Sequence, residues 1–486
     1  MHGASRLLRQ THLASNALSK SRIVLSRRGY ASAAELRFGQ PLHETHPHIL
    51  QPGELTPGIT ALEYHERRAK LARALPENSI AVLASSELKY RSGAVFYEFH
   101  QEPNFSYLTG FNEPEAVAVI EKAGSDLEYK FHLFVRPKDR NAEIWEGARS
   151  GVQAALDVFN ADEAGDINTI NRSLTDIIAG TKTVYTDILS EGRARSMFGR
   201  FFKGSPTKSA EGFQKLLNSA NVQSLRPLMN SIRVTKSPAE IANMRRAGQI
   251  SGRAFSEAMK NRFDTEKELW AFLSFWFKMH GLDGEAYVPV VAGGRNGLSI
   301  HYVRNDDVIN QGELTLVDAG GEYGGYITDI TRTWPANGKF SDPQRDLYQM
   351  ILKVQRSCVS LCREDANMTL DDLHRVAEEG LRDGLKGLGF DLSGNAMEVL
   401  FPHHVGHYIG MDVHDAPGYP RTDRLKTNQC ITIEPGIYVP DEDRFPKHFR
   451  NMAIRIEDSV CITEEHPFVL TTEAVKEVVD IEALRD

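Results

Sequence analysis

Residues 403–415 read HHVGHYIGMDVHD, placing four histidines and two aspartates within thirteen positions on a background of glycine and apolar side chains. Imidazole nitrogens and carboxylate oxygens are the donors that hold first-row divalent metals. The spacing of His403 and His407 matches the helical zinc proteases, in which a glutamate base follows the first histidine. Here that residue is His404, and Gly406 and Gly410 would each cost a helix about 1 kcal/mol against alanine. A helical zinc site is a poor reading. The remaining donors must come from elsewhere in the chain.

Residues 314–334, LTLVDAGGEYGGYITDITRTW, are two β-type runs around a glycine-rich middle, which predicts a hairpin. With the turn centred on Tyr323–Gly324, Asp318 and Asp329 face each other on one side of the ladder, about 5 Å apart at Cβ. Two facing carboxylates without a countercharge repel, so a metal or a shared proton is expected between them. The bland account, one aspartate capping a turn and the other solvated, explains neither that register nor the apolar surroundings.

Glu434 ends the apolar run of TIEPGIYV, and Glu457 lies in the alternating run AIRIEDSV. Period two puts Arg455 on the face of Glu457 and turns Ile454 and Ile456 the other way. A plain Arg455–Glu457 ion pair is the competing reading; the company of Asp318, Asp329 and the histidine cluster favours metal. Two aspartates, two glutamates and one histidine form an oxygen-rich set that suits Mn2+, with Co2+ and Zn2+ as substitutes. Four carboxylates exceed what one divalent ion usually takes. They predict two ions about 3.5–4 Å apart, with bridging carboxylates and a bridging water.

These donors need a scaffold. From residue 57 helical and strand patterns mix: EYHERRAKLARAL reads as a helix, and SIAVLASS, EAVAVIEK, YKFHLFVR and TVYTDI as strands, giving an α/β domain over 57–190. Residues 191–233 read as a linker or insertion, rich at first in Gly, Ser and basic residues, with helical character returning from 213. The second domain begins near 234, where Ser237 is placed as an N-cap, Pro238 as the first helical residue and Glu240 as the capping-box partner.

The chain has 486 residues, long enough for two domains, and is 41 % hydrophobic and 25 % charged. No apolar run approaches the ~18–20 residues of a membrane span. Four cysteines are too few for a disulfide framework, and Cys358 and Cys362 lack a second pair to complete a zinc site, so all four are expected as buried thiols. Residues 1–34 hold six Lys/Arg, six serines and no acidic residue, with IVL as the longest apolar run. That is the composition of a mitochondrial transit peptide over about residues 1–30. A basic nucleic-acid-binding tail is the other reading, and the abrupt end of the acid-free zone just after RRGYAS favours import. Taking those six positive charges from the formal net of −8 leaves −14, too acidic for a nucleic-acid binder.

DAGGEYGGYITDITRTW, HHVGHYIGMDVHD, IEPGIY and RIED occur in this order and at these spacings, and together they resemble the pita-bread metallopeptidases, specifically their Xaa-Pro aminopeptidase branch. EPNFSYLTGFNEPEAVAVI resembles that branch's N-terminal domain, so the likeness spans nearly the whole chain after the transit peptide. The transit peptide makes the mitochondrial, intermediate-cleaving members the nearest match. The resemblance implies an α+β architecture, with a C-terminal pita-bread catalytic domain over 234–486 behind an α/β creatinase-like N-terminal domain of aminopeptidase P type.

It also implies a division of labour. Asp318 would chelate one of two divalent ions, manganese first among them; Asp329 and Glu457 would bridge both, and His407 and Glu434 would hold the other. His403, His414 and His301 of LSIHYVRND would line the substrate site together with Arg455, which would orient Glu457 or a neighbouring carboxylate. A continuous strand from His407 to His414 would put them on opposite faces, so a bend near Gly410 is required. His404 is left packed or solvent-facing. The activity implied is removal of one N-terminal residue from peptides or imported precursors in the mitochondrial matrix, contributing to protein processing and stability. Glu434 would carry the proton, His414 stabilise the oxyanion and His301 orient the substrate. Relatives often form homo-oligomers. Cleavage of RRGYAS after Gly29, then loss of Tyr30, would leave Ala31 first. A metal-free interaction module of the same fold, a prolidase-type dipeptidase and a methionine aminopeptidase are the rivals. Five ligands in order weigh against the first, and the N-terminal domain against the last.

Overall fold

The computed structural model describes residues 37–122, 129–188 and 220–485. The expected transit peptide, the Ala31 N-terminus and residues 191–219 of the expected linker lie outside the described residues.

Helix α1 (Ala61–Ala74) starts at Thr60, whose hydroxyl accepts the Glu63 N–H, and buries Tyr64, Arg67, Arg68, Leu71 and Ala72. It packs on β2 (Val117–Lys122) and β3 (Tyr129–Val135), which with β1 (Ser79–Ala84) form the antiparallel centre of a six-stranded sheet. β4 (Glu163–Asp166) joins β3 in parallel, and β5 (Thr183–Tyr185) joins β1 in parallel, followed by β6 (Val222–Gln223). The order is β6-β5-β1-β2-β3-β4. After Ser79 the run IAVLA is unbroken by polar residues because both faces are covered. Ala81 and Leu83 enter one core cluster, and Ile80 and Val82 another.

Helix α2 (Arg226–Arg233) leads into α3 (Pro238–Lys260), which has the capping box of Ser237 and Glu240 and Pro238 at its start. α4 (Glu266–Met279), α5 (Asp342–Ser360) and α6 (Leu370–Gly387) complete the helical cover of the second half. Phe255, Leu273, Ile351 and Leu381 from these helices meet Val317, Ile330, Ile433 and Ile454 from the strands in the largest core. Each such side chain withdrawn from water stabilises by about 1.5–3 kcal/mol. All four cysteines are buried thiols. Among the described residues no helix is long and apolar enough to cross a membrane.

The strands carry the site. β7 (Val290–Gly293), β8 (Leu314–Ala319) and β11 (Ile330–Pro335) form one antiparallel sheet, and β9 (Gly321–Tyr323) and β10 (Tyr326–Ile327) extend the hairpin between β8 and β11. β12 (Cys430–Ile433) pairs with β15 (Asp458–Cys461), and β13 (Gly436–Val439) with β14 (Met452–Arg455). The hairpin register differs from expectation. Tyr323 opposes Tyr326, so the turn is Gly324–Gly325, and Asp318 lies opposite Thr331 rather than Asp329. The reason is steric: both central positions have positive φ, 59° and 80°, which glycine adopts freely and a tyrosine at 323 would not. Asp329 falls in a break between β10 and β11. There a Cβ on Gly320 would sit 1.8 Å from the Thr328 carbonyl oxygen, so the chains close up only over a glycine.

Candidate metal centre

Asp318 and Asp329 meet in space despite the shifted register. The Tyr287 hydroxyl lies 2.7 Å from Asp318 Oδ1 and 2.5 Å from Asp329 Oδ1. Arg455 Nη2 donates to Asp318 Oδ2 at 2.6 Å, Nη1 to the Tyr438 hydroxyl at 2.6 Å, and Nε to Thr331 Oγ1 at 2.9 Å. Of the two carboxylates offered to Arg455 above, it is therefore the neighbour, Asp318, that it orients. Glu457 is held by Thr331 instead, whose hydroxyl donates to Oε2 at 2.6 Å. Strand β14 stops at Arg455, and Ile454, Arg455, Ile456 and Glu457 are all buried. The alternation in AIRIED separates two buried faces, not core from solvent.

His407 Nδ1 lies 3.1 Å from the Tyr408 carbonyl oxygen, which accepts its proton and turns Nε2 towards the carboxylates. That Nε2 is 3.6 Å from Asp329 Oδ2 and 3.6 Å from Glu434 Oε1. Gly406 permits the approach, since a Cβ there would lie 1.9 Å from the Thr432 carbonyl oxygen. Asp329, His407 and Glu457 each offer a donor atom, all within 4.8 Å of one another. Glu457 Oε1 is buried with no hydrogen-bond partner. Leaving a carboxylate oxygen bare among other carboxylates is costly unless a cation meets it. The donor set fits a divalent metal.

The electrostatics agree. Burial, then the charge of Asp329, pushes Asp318 up to about 7. Burial, then Asp329, Glu434 and Asp318, pushes Glu457 well above the usual carboxylate range, and burial raises Glu434 too. At Asp329 burial is outweighed by the bond to His407, and the carboxyl stays low. At His407 burial is outweighed by Asp329 and Glu434, which lift the ring to about 9. The cluster holds more negative charge than Arg455 offsets, and without a metal protons must take up the rest.

Around this cluster stand the other histidines. The chain bends at Gly410–His414, and the rings of His407 and His414 meet edge-on with centroids 4.5 Å apart. Partial burial and the charge of His407 push His414 down to about 4. His403 Nε2 lies 3.0 Å from the Tyr438 hydroxyl and Nδ1 lies 3.7 Å from Glu434 Oε2. Burial, then Arg455, lowers it to about 3. His301 is exposed, close enough for its charge to act on His414. His404 stacks on His374 at 4.4 Å and bonds to Gly406 and Asp371, a packing residue.

Three contributors were not singled out above: Tyr287, Thr331 and Tyr438. Thr331 is two residues past Asp329 and Tyr438 four past Glu434, so strand period could have found both. Tyr287 stands alone in AYVPVV, with no local signal.

The chain matches two family models, Metallopeptidase family M24 over residues 242–464 and Aminopeptidase P, N-terminal domain over residues 64–185. It is 48 % identical over 452 residues to Intermediate cleaving peptidase 55 of Saccharomyces cerevisiae, covering 92 % of this chain and 88 % of that protein. It is 37 % identical over 466 residues to Xaa-Pro aminopeptidase 3 of Homo sapiens, covering 92 % and 90 %. The crystal structure of Icp55 from Saccharomyces cerevisiae with 58 N-terminal residues deleted superposes with a TM-score of 0.81 at 45 % identity, covering 89 % of this chain and 99 % of that one. Aminopeptidase P from E. coli with the inhibitor Pro-Leu gives a TM-score of 0.78 at 34 % identity, covering 88 % and 98 %. The likeness runs through both halves, so the second half is a pita-bread domain behind an aminopeptidase P N-terminal domain. The carboxylate-rich centre stands within that pita-bread domain, and the chain accordingly belongs to metallopeptidase family M24, as a metallo-aminopeptidase that depends on divalent metal.

Proposed function

We propose that this enzyme is a dinuclear manganese aminopeptidase of the mitochondrial matrix that removes one N-terminal residue from peptides and imported precursors. The observation that carries it is the buried, unpartnered Glu457 Oε1 beside Asp329 and His407. Relatives named Intermediate cleaving peptidase 55, one of them "mitochondrial" by name in Arabidopsis thaliana, support the substrate class and the compartment. Asp318, Asp329, His407, Glu434 and Glu457 hold the ions. Bound divalent ions supply Lewis acidity and bring the pKa of water towards neutrality.

The side chains do the rest. Glu434, already raised by burial, takes a proton and returns it to the leaving nitrogen. His414, held neutral, donates to the oxyanion, and the exposed His301 orients the substrate beyond the scissile bond. His403 lines the pocket from its bond to Tyr438. The acidic cluster matches a free α-amino group, which limits removal to one residue. Purified protein should release single residues from peptides beginning with Tyr, Leu or Phe, and be stimulated by Mn2+. Metal-loaded protein that releases no single residue from these or from X-Pro peptides would sink the reading.

Metal uptake by the stripped protein should release protons near neutral pH. His407 raised to about 9 and Asp318 raised to about 7 hold protons there that a ligand must give up, so affinity falls as pH drops below about 9 and more steeply below about 7. Calorimetric titration in buffers of different ionisation heat reads this directly, and heats that do not vary with buffer would refute it. Replacing His414 by alanine should cost roughly 10²–10³ in kcat, as for loss of one oxyanion donor, with metal content unchanged. If the variant loses metal instead, His414 is a ligand.

A further inference from the structure

The loop from Tyr408 to Asp415 is closed at its base by one backbone oxygen. The Tyr408 carbonyl accepts the Asp415 N–H at 2.8 Å and the His407 Nδ1–H at 3.1 Å. Asp415 directly follows His414. The atom that fixes the tautomer of His407 therefore also closes the loop that brings His414 to it.

The Asp415 carboxylate turns away from the metal centre into the protein, where the residue is 4 % exposed. Oδ1 takes Arg233 Nη2 at 2.5 Å and Oδ2 takes Lys236 Nζ at 2.9 Å, and both cations are buried. Arg233, the last residue of α2, has two further partners: Nη2 donates to Asp412 Oδ2 at 2.8 Å, and Nη1 to Asn104 Oδ1 at 2.7 Å. Asn104 lies on the short helix Pro103–Thr109, within the aminopeptidase P N-terminal domain. The packing has no slack. A Cβ on Gly410 would lie 2.6 Å from Asp415 Oδ2 and 2.9 Å from Lys236 Cε.

Buried ion clusters of this kind add little net stability over apolar groups of the same shape. What this one supplies is a fixed position for the residue after His414. We propose that Asp415 is a positioning residue for hydrolysis: clamped by Arg233 and Lys236, it sets the His414 ring against His407, and through Asn104 it makes the N-terminal domain part of that clamp. The inference rests on the role of His414 given above.

Asp415→Asn combined with Lys236→Met removes one charge of each sign, so Arg233 keeps Asp412 as its counterion. This double variant should fold and keep full metal content, with KM within about threefold. Its kcat should fall on the order of 10²-fold, the scale of a ~1 Å misplacement. In a His414→Ala background the same two substitutions should cost kcat less than roughly threefold, because the group they position is gone. Equal losses in both backgrounds, loss of metal, or failure to fold would overturn the proposal, making Asp415 a support of His407 or of the fold. Arg233→Lys keeps the charge but cannot reach both Asp415 and Asn104, so it should lower kcat without releasing metal. Normal kcat there would remove the N-terminal domain from the clamp and overturn that half. His414→Ala with normal kcat would end the role of His414 itself, whatever Asp415 does.

Discussion

Glu457→Gln should abolish metal retention and hydrolysis while leaving the metal-free protein no less stable than wild type. Its carboxylate has one oxygen satisfied by Thr331 and the other bare, at the centre of three more carboxylates. The folded-state pKa lies well above the ordinary glutamate value, because burial and then the neighbouring charges disfavour ionisation. A raised carboxyl pKa means that the group costs stability once pH exceeds its unfolded value, and an isosteric amide removes that cost at neutral pH. The amide cannot replace the anionic donor. Wild-type protein should gain thermal stability on adding Mn2+, by mass action on the folded state. The variant should gain none, and its turnover should fall more than about 10²-fold, since disturbing even an outer-shell partner costs 10–100-fold. Asp329→Ala should behave alike in metal binding. A variant that unfolds without metal, or that turns over normally with a full complement, would defeat the assignment.

The site was legible where chemistry is written in residue type, and less so where geometry decides. Of the proposed donors, Asp318, Asp329, Glu434 and Glu457 could be picked out because acidic side chains in apolar runs demand partners, whereas the choice of His407 among four histidines came only with the resemblance to the family. Their register could not. Centring the turn on Tyr323 ignored the backbone: two glycines with positive φ form it, and the break at Gly320 carries Asp329 out of the ladder. The pairing with Asp318 survives because Tyr287 reaches both, a contact between residues far apart in sequence. Arg455 shows the same limit. Period two put it beside Glu457, but its guanidinium reaches Asp318 across to β8. In the first half, SIAVLA and YKFHLFV became strands where their patterns placed them. Local pattern fixes an element, and packing across strands chooses the partner of a long side chain.

Asp458→Asn should destabilise the protein by about 3–5 kcal/mol, the cost of stripping one partner from a buried ion cluster. Asp458 opens β15, 0 % exposed, next to Glu457. Its Oδ1 accepts from Arg332 Nη2 at 2.7 Å and Thr471 Oγ1 at 2.8 Å, and its Oδ2 from Gln355 Nε2 at 2.8 Å and Lys476 Nζ at 2.5 Å. Arg332 has no exposure either, and its Nη1 donates to the Thr331 and Glu457 carbonyl oxygens. The carboxylate therefore anchors an arginine that grips the backbone on both sides of the metal centre. An asparagine keeps the shape but leaves the buried Arg332 and the half-buried Lys476 without their countercharge. The pH dependence has a definite sign. Burial alone would raise Asp458, but Arg332 and Lys476 overcome it and hold the carboxyl far below its ordinary value of 3.8. A depressed carboxyl contributes stability above its unfolded pKa and loses it only as pH falls through the folded one. The gap in thermal midpoint between wild type and variant should thus stay constant from pH 8 to about pH 5 and begin to close only below pH 4. A gap that closes between pH 7 and 5 would assign the stabilisation to a different group. No gap at all would show that Arg332 finds another partner, and that its grip on Thr331 and Glu457 does not depend on Asp458.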